Sequence, residues 1–202
     1  MVSKKVTGFL PLVWGLFLWL LVLPFQAVGI WGGDSGDLVT AAWLGGVPHP
    51  PGYPLYTLAG LLVSHLPVFS PAWRMALLSS IPHAAAATVV MLLVWQMSGM
   101  VVAGMFASLV LVGNYLFFLY SVTPEVFALL DFFVVMLVYL CYRWTVTKRL
   151  QYLYLLGFMA GLSLTHHQLV LFVFPAIGYW LWRGPTLGKN ASRACFGYFI
   201  LG

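Results

Sequence analysis

Long apolar runs separated by short polar breaks restrict this chain more than any other feature of its sequence. Hydrophobicity alone places candidate spans at residues 7–30, 53–69, 75–97, 100–121, 126–142, 150–166 and 168–182, with a further run beginning near residue 195. Most of these runs approach the roughly 20 residues that a helix needs to cross a hydrocarbon core of about 30 Å. Because backbone polar groups inside lipid must be satisfied within the chain, the runs predict an all-α fold, a polytopic transmembrane helix bundle.

The composition excludes a soluble domain. Only 6% of the 202 residues are charged and the mean hydropathy is +0.99, whereas a soluble domain has roughly 25% charged residues. The net charge of +5 does not indicate nucleic acid as a partner, because the basic residues stand at the ends of apolar runs instead of forming one patch. Membrane lipids are the expected surroundings.

The positions of the basic residues predict a topology. If residues 53–69 crossed the membrane, the later basic clusters would lie outside, against the orientation that the first two lysines favour. Placing 53–69 in or on the outer leaflet leaves only Arg74 outside. Eight of the nine basic residues are then cytoplasmic: Lys4, Lys5, Arg143, Lys148, Arg149, Arg183, Lys189 and Arg193.

This topology predicts six complete spans and the start of a seventh. Residues 31–74, here called the outer segment, form one long external stretch that contains a re-entrant or interfacial helix. Two short helices turn near residues 165–168, because Arg149 and Arg183 must lie on the same side. We expect residues 1–202 to be a single transmembrane module and an N-terminal fragment of a longer protein, since the last run stops well short of a span.

The ionisable groups gather on the outer side of this topology. Of the four acids, Asp34, Asp37 and Glu125 are external and Asp131 lies in the outer part of a span, while all five histidines fall on or toward the outer half. Ionisable groups within membrane segments are costly and usually face a cavity or a partner. The pattern indicates a polar site at the outer interface.

Asp34 and Asp37 stand three residues apart and would share a face of a helix that begins there. Either carboxylate is able to act as a base. The alternative is a variant of the capping box, in which Asp34 caps the helix and Asp37 occupies its first turn. Their spacing leaves the two interpretations open.

Four further elements are candidates for the same site. The proline-rich turn at residues 48–54 would hold His49 and Tyr53 rigidly over a cavity floor, or would only reverse the chain. Arg74 is suited to a lipid phosphate or to an ordinary headgroup contact. Glu125 is a second wall of the site or a helix N-terminal carboxylate. The remaining candidates are His166 and His167. Histidines in such a place are more often turn or cavity-lining residues than metal ligands.

Four ordered strings carry a resemblance to a known family: GDSGDL at residues 33–38, HPPGYPL at 49–55, PEVFAL at 124–129 and GLSLTHH at 161–167. Together they resemble multi-spanning proteins related to protein O-mannosyltransferases, and the match runs through nearly the whole chain. The chain looks like the N-terminal membrane module of a GT-C type glycosyltransferase.

The resemblance implies transfer of a mannose-like sugar from a polyprenyl- or dolichyl-phosphate carrier to a Ser or Thr hydroxyl of an acceptor protein. An acid of the first external loop serves catalysis in such proteins, and Asp34 best fits that position. The family usually has Glu where Asp37 stands and Asn where Asp131 stands. We therefore expect catalytic roles for Asp34, Asp37 and Glu125, and substrate contacts from His49, Tyr53, Arg74, His166 and His167.

Three matters stay open at this stage. The donor substrate is a lipid-phosphate-linked sugar, and the sequence defines no cofactor. A divalent metal is compatible with the sequence. The membrane is expected to be a bacterial inner membrane with the site on its outer face, with the endoplasmic reticulum membrane as the alternative. A different function, an ion-coupled transporter that uses Asp131 and the outer histidines, would make Asp131 essential and Asp34 dispensable.

Overall fold

A computed structural model describes residues 4–183 and 189–202, and the side chains from Gly8 to Arg183 and from Ser192 to Gly202. The side chains of Lys4, Lys5 and Lys189, which the topology prediction uses, lie outside this described set. No strand occurs in the described residues, so the fold is all-α as predicted. The described part of the chain forms ten α-helices, in this order: α1 (Lys4–Val22), α2 (Ser35–Leu44), α3 (Pro54–Ser64), α4 (Pro71–Ser98), α5 (Val101–Val112), α6 (Tyr115–Val122), α7 (Phe127–Thr147), α8 (Leu150–Leu164), α9 (Phe174–Arg183) and α10 (Lys189–Leu201).

The helix lengths support an integral membrane protein but not the predicted count of six spans. Within residues 4–183 and 189–202, three stretches are long and apolar enough to cross a membrane: Gly8–Phe25, α4 and α7. The pair of α5 and α6 makes a fourth if it is one bent span. With 15 and 10 residues, α8 and α9 are shorter than the roughly 20 that a span requires.

The predicted span at residues 100–121 is broken in the structure. Its two halves, α5 and α6, meet at 73°. The break lies where the side chain of Asn114 accepts hydrogen bonds from the backbone N–H groups of Leu116 and Phe117. Such an N-cap satisfies free N–H groups and so begins a new helix with a new direction.

Helix α4 is the centre of the bundle. At 28 residues it is about 42 Å long, and it packs against α1, α3, α5, α6 and α7. One apolar core joins it to α1 and α6 and consists of Leu18, Val22, Ala84, Ala86, Ala87, Val112, Phe117 and Val122.

The outer segment forms a helical hairpin over the first turns of α4. Its two helices, α2 and α3, pack against each other and against α4. The 11 residues of α3 extend about 16 Å, which is too short to cross a bilayer and agrees with the charge-based topology. The hairpin, α4 and the connection between α6 and α7 share one apolar core. It consists of Leu38, Val39, Ala42, Tyr53, Tyr56, Ala72, Met75 and Val126.

The last third of the chain turns where the sequence predicts. After α8 the chain reverses at residues 165–167 and continues through a short 3₁₀ turn at Gln168–Phe172 into α9. Helix α10 begins at Lys189, six residues before the predicted run, because the polar residues before 195 are also helical. It packs so closely on α8 that a side chain added to Gly157 or Gly161 would collide with its backbone.

Candidate active site

Five of the predicted residues meet at one end of the bundle, in a group that we call the acid–histidine cluster. Asp34 and Asp37 come from the start of α2, His49 and Tyr53 from the proline-rich turn before α3, and Glu125 from the connection between α6 and α7. The cluster therefore joins two loops of the outer segment to a third loop that lies more than 70 residues further along the chain.

His49 is held by Asp37. The Nδ1–H group of the ring and the backbone N–H of the same residue both donate to Asp37 Oδ2, each over 2.8 Å. The backbone donor above all, and then the ring, lower the pKa of Asp37 below its ordinary value. Asp37 is thus a fixed anion, and its bond to Nδ1 leaves the other ring nitrogen directed into the cluster.

The second nitrogen of His49 has two neighbours. Its Nε2 lies 3.1 Å from the hydroxyl of Tyr53 and 3.6 Å from Asp34 Oδ2. A neutral ring accepts the hydrogen of the Tyr53 hydroxyl, whereas a protonated ring would form an ion pair with Asp34. His49 therefore connects Asp37 to both Tyr53 and Asp34.

Asp34 occupies the N-cap position of α2 without acting as a cap. Its side chain makes no capping hydrogen bond in the described structure, and 54% of it is exposed. The geometry therefore does not support the capping box, which was one of the two interpretations that the spacing left open. The carboxylate is free to meet a ligand from solvent.

Glu125 is the buried acid of the cluster. Its Oε2 is inaccessible to solvent and has no hydrogen-bond partner among the described residues. Burial, followed by the charge of Asp34, raises the pKa of Glu125 from 4.5 to about 7. A large share of Glu125 is therefore protonated at neutral pH and able to donate a hydrogen bond.

The backbone around Glu125 is fixed by α4 and leaves room for the acid. The Glu125 N–H donates to Ser79 Oγ over 3.0 Å, and the Ser79 hydroxyl donates back to the Glu125 carbonyl over 3.1 Å. Gly33 faces the carboxyl group with φ +70°, and a Cβ there would lie 3.6 Å from Glu125 Oε1. A residue with positive φ next to the site calls for glycine.

His166 and His167 lie beneath the cluster and are both buried. His166 Nε2–H donates to the carbonyl of Val126 over 2.8 Å, while His167 Nδ1 accepts the N–H of Leu169 over 3.2 Å. Burial lowers the pKa of His166 to about 4 and also lowers the pKa of His167. The ring of Tyr53 stands over them, with its centroid 5.2 Å from that of His167, so they support the cluster floor as neutral rings.

Arg74 is directed elsewhere. Its Nε–H donates to the Ser70 carbonyl over 3.2 Å, its Nη1 donates to the Leu66 carbonyl, and its guanidinium lies 5.8 Å from the Trp43 ring. The side chain is 7% exposed. It ties the base of the outer segment together, and its described contacts do not reach the acid–histidine cluster.

A second aspartate and histidine pair lies further down α4, and the sequence analysis missed its histidine. His83 Nε2 is 3.3 Å from Asp131 Oδ2, His83 Nδ1 is 2.8 Å from Ser121 Oγ, and the ring stacks on Phe117 at 3.9 Å. His83 follows Ser79 by four residues, so both face the connection that carries Glu125. That helical spacing was the signal that would have found them.

The cluster does not supply a metal site from protein ligands alone. In residues 4–183 and 189–202, no group of three or more His, Cys, Asp or Glu side chains is placed to hold a metal ion.

Comparison with known proteins identifies a family. A family model described as the N-terminal domain of protein O-mannosyl-transferase TMEM260 matches residues 34–186. Protein O-mannosyl-transferase TMEM260 of Mus musculus is 39% identical over 158 residues, which are 75% of this chain and 22% of the mouse protein. The protein of the same name from Dictyostelium discoideum is 31% identical over 173 residues, 77% of this chain and 21% of its own length.

The chain thus spans about a fifth of the length of these curated relatives. No solved structure matches it. The matched region begins at Asp34 and includes every residue of the acid–histidine cluster.

Proposed function

The chain belongs to the family of the N-terminal domain of protein O-mannosyl-transferase TMEM260, and from that premise we propose that it is the membrane module of a glycosyltransferase that acts on proteins. The single observation that carries the proposal is Asp34, a half-exposed carboxylate that caps nothing and stands among the four other residues of the acid–histidine cluster. The relatives are named for O-mannosyl transfer, so the sugar is mannose or a close analogue.

The donor in this proposal is a sugar on a polyprenyl- or dolichyl-phosphate carrier. The acid–histidine cluster is adjacent to the apolar helices α4 and α7 and is reachable from solvent through Asp34 and Asp37. A lipid-linked donor and a soluble acceptor need a site with both kinds of access. The arrangement supports a GT-C type enzyme with its active site on the outer or lumenal face.

Asp34 acts as the base. It takes the proton of the acceptor Ser or Thr hydroxyl while the hydroxyl oxygen attacks the anomeric carbon. The bond from that carbon to the carrier phosphate oxygen breaks, and its electron pair leaves with the phosphate. The configuration at the anomeric carbon is inverted, and the phosphate leaves already ionised, so it needs little acid assistance.

The other cluster residues assist this step. Asp37 orients His49, whose Nε2 is a small movement away from the carboxylate that has received the proton. Glu125 in its protonated form donates a hydrogen bond to the donor from the buried side of the site. Tyr53 separates His49 from the two floor histidines. Arg74 is left out of the scheme, because its guanidinium is bound to backbone carbonyls of the outer segment.

The relatives also bear on the alternatives. Both are named as transferases, so the ion-coupled transporter has no support from them. They come from a mouse and from Dictyostelium and likewise give no support to the predicted bacterial inner membrane. We therefore assign the chain to a eukaryotic membrane, with the endoplasmic reticulum and its dolichyl-phosphate carriers as the specific proposal.

The test uses the full-length protein purified in detergent, a radiolabelled dolichyl-phosphate mannose and a protein acceptor rich in Ser and Thr. We expect the radiolabel to be transferred to the acceptor in a linkage that alkali cleaves. The Asp34→Asn substitution should abolish this transfer. Running the reaction with and without chelator decides whether a divalent metal takes part. Full transfer by the Asp34→Asn protein would overturn the assignment of the base, and no transfer by the unaltered protein with any dolichyl- or polyprenyl-phosphate sugar would overturn the function.

A further inference from the structure

A cavity of about 650 Å³ lies at the end of the bundle opposite the acid–histidine cluster. It opens between α1, α4 and α7, and its polar lining includes Gln96, Tyr139, Tyr142, Arg143 and Thr147. Arg143 is 16 residues after the start of α7, which is about 24 Å along the helix axis. The cavity, here called the arginine pocket, is thus separated from the proposed active site by most of a membrane thickness.

The guanidinium of Arg143 is surrounded by neutral partners. Its Nη1 donates to Gln96 Oε1 over 3.0 Å and its Nη2 to the Tyr152 hydroxyl over 2.7 Å, with Tyr139 Oη 3.5 Å from Nη1. The rings of Tyr152 and Tyr139 lie 4.9 and 5.9 Å from the guanidinium carbon. In the described part of the chain, no carboxylate lies within 4.0 Å of this cation.

The pocket also has more donors than acceptors. Arg143 Nε is buried and has no hydrogen-bond partner in the described residues. The hydroxyl of Tyr139 receives hydrogen bonds from Gln96 Nε2 and Arg143, and that of Tyr152 receives one from Arg143. The hydrogens of both phenols therefore have no acceptor in residues 4–183 and 189–202. A cation with spare donors and no anion is the arrangement that a bound anion completes.

The walls indicate which anion fits. Pro11, Leu92 and Val146 line the same cavity and give it an apolar side, while Trp95 stands beside the polar groups. Tryptophan and tyrosine favour the level of the lipid headgroups, and arginine binds phosphate oxygens in a forked geometry. Lys148 and Arg149 follow Arg143 by five and six residues. Both are exposed at the helix ends and neither lines the cavity.

We propose that the arginine pocket binds a phosphate ester, specifically the headgroup of an anionic membrane lipid in the leaflet opposite the active site. Arg143 and the hydroxyl of Tyr139 hold the phosphate, and an acyl chain lies along the apolar side. This inference is independent of the transferase activity, because none of its residues belongs to the acid–histidine cluster.

The binding test uses the purified full-length protein in a neutral detergent and its thermal unfolding. Dioleoyl phosphatidate, dioleoyl phosphatidylcholine and inorganic phosphate are titrated separately. We expect phosphatidate to raise the unfolding temperature progressively, inorganic phosphate to raise it little and phosphatidylcholine not at all. A ligand that binds only the folded state adds stability that grows with the logarithm of its concentration once that concentration exceeds Kd. Equal stabilisation by phosphatidylcholine, whose phosphate charge is balanced by choline, would overturn a site for an anionic headgroup, and equal stabilisation by inorganic phosphate would overturn the assignment to a lipid.

Variants locate the site. Arg143→Gln should weaken the apparent affinity for phosphatidate roughly tenfold or more, and Tyr139→Phe, which removes only the hydroxyl, should weaken it a few-fold. Arg143→Lys keeps the charge but loses the fork, so it should bind between these limits and keeps the test valid if the Gln variant does not fold.

Arg183→Gln is the matched control for general charge. Arg183 is an exposed arginine beside two aromatic rings, each 5.7 Å from its guanidinium, and it is not among the residues that line the pocket. Its substitution should leave phosphatidate binding unchanged. If Arg183→Gln lost as much affinity for phosphatidate as Arg143→Gln, the binding would be a general attraction between basic side chains and anionic lipid. That result would overturn the proposal.

Discussion

In the described residues, two histidines have an aspartate as their nearest acid, His49 with Asp37 and His83 with Asp131, and the surroundings of these two pairs differ. In the pair of Asp37 and His49, both side chains are partly exposed, and the free ring nitrogen of His49 faces Tyr53 and Asp34. In the pair of Asp131 and His83, the aspartate is 51% exposed, but the histidine is only 1% exposed and its other nitrogen is bound to Ser121. The two pairs therefore differ in the histidine, whose ring is partly exposed in the first pair and buried inside the bundle in the second.

The second pair shows what the buried histidine contacts. Ser121 lies in the last turn of α6 and Asp131 lies in the second turn of α7. His83 therefore contacts the chain on both sides of the connection that carries Glu125. Ser79, one helical turn before His83, binds the backbone of Glu125 itself. Helix α4 thus fixes the buried acid of the site from one face, which is a positioning role and not a chemical one.

The largest effect that would test this contrast is expected at Asp34. Asp34→Asn should lower transfer by roughly 10²–10⁴-fold without unfolding the protein, because the amide keeps the size of the side chain but cannot accept the hydroxyl proton. The measurement is the initial rate with labelled dolichyl-phosphate mannose, together with the unfolding temperature. Asp37→Asn removes the same charge one helical turn away, and a greater loss in that variant would move the base to Asp37.

The next effect is expected at the histidines. His49→Gln should slow transfer roughly tenfold to a hundredfold, since the ring that Asp37 orients toward Asp34 is lost while the base is kept. His83→Gln is the counterpart from the second pair, and it should lower the unfolding temperature more than His49→Gln does. If His83→Gln left stability intact and abolished the rate, the distinction between a reactive and a structural pair would fail.

Glu125 gives a smaller effect with a defined pH dependence. The pKa of Glu125 is raised from 4.5 to about 7 in the folded protein, so the folded state favours the protonated carboxyl. The stability associated with this proton is fully present below pH 4.5 and is lost as the pH rises through about 7. Glu125→Gln should remove that part of the decline when unfolding is followed between about pH 5 and about pH 8. An unchanged decline in the variant would show that Glu125 is not the group responsible.

The smallest effect on activity is expected at Asp131. Asp131→Asn should change transfer by no more than about twofold, because the amide still accepts a hydrogen bond from His83 and the residue lies outside the acid–histidine cluster. The expected cost is about 1 kcal/mol in the free energy of unfolding, the usual size of one lost or weakened hydrogen bond. A large loss of transfer here would make the second pair part of the reaction after all.

Much of the site was predictable because its residues belong to short local patterns. The glycine-rich string contains Asp34 and Asp37, the proline-rich turn contains His49 and Tyr53, and each pattern restricts its own backbone regardless of the rest of the chain. The carboxylate of Glu125 was predicted as a second wall from its place at the mouth between two helices. Ser79 and His83 were not predicted, because a serine and a histidine on an apolar helix have no local signal beyond their spacing.

The membrane environment and the all-α class were determined by the sequence itself, because hydropathy summed over 20 residues reports which solvent a segment can occupy. Only the tertiary structure decided how side chains are directed. It left Asp34 uncapped, bound Arg74 to the carbonyls of Leu66 and Ser70, and brought Glu125 beside a loop more than 70 residues away. The physical reason is that burial, pKa and hydrogen-bond partners depend on atoms from distant parts of the chain, and these meet only when the helices pack.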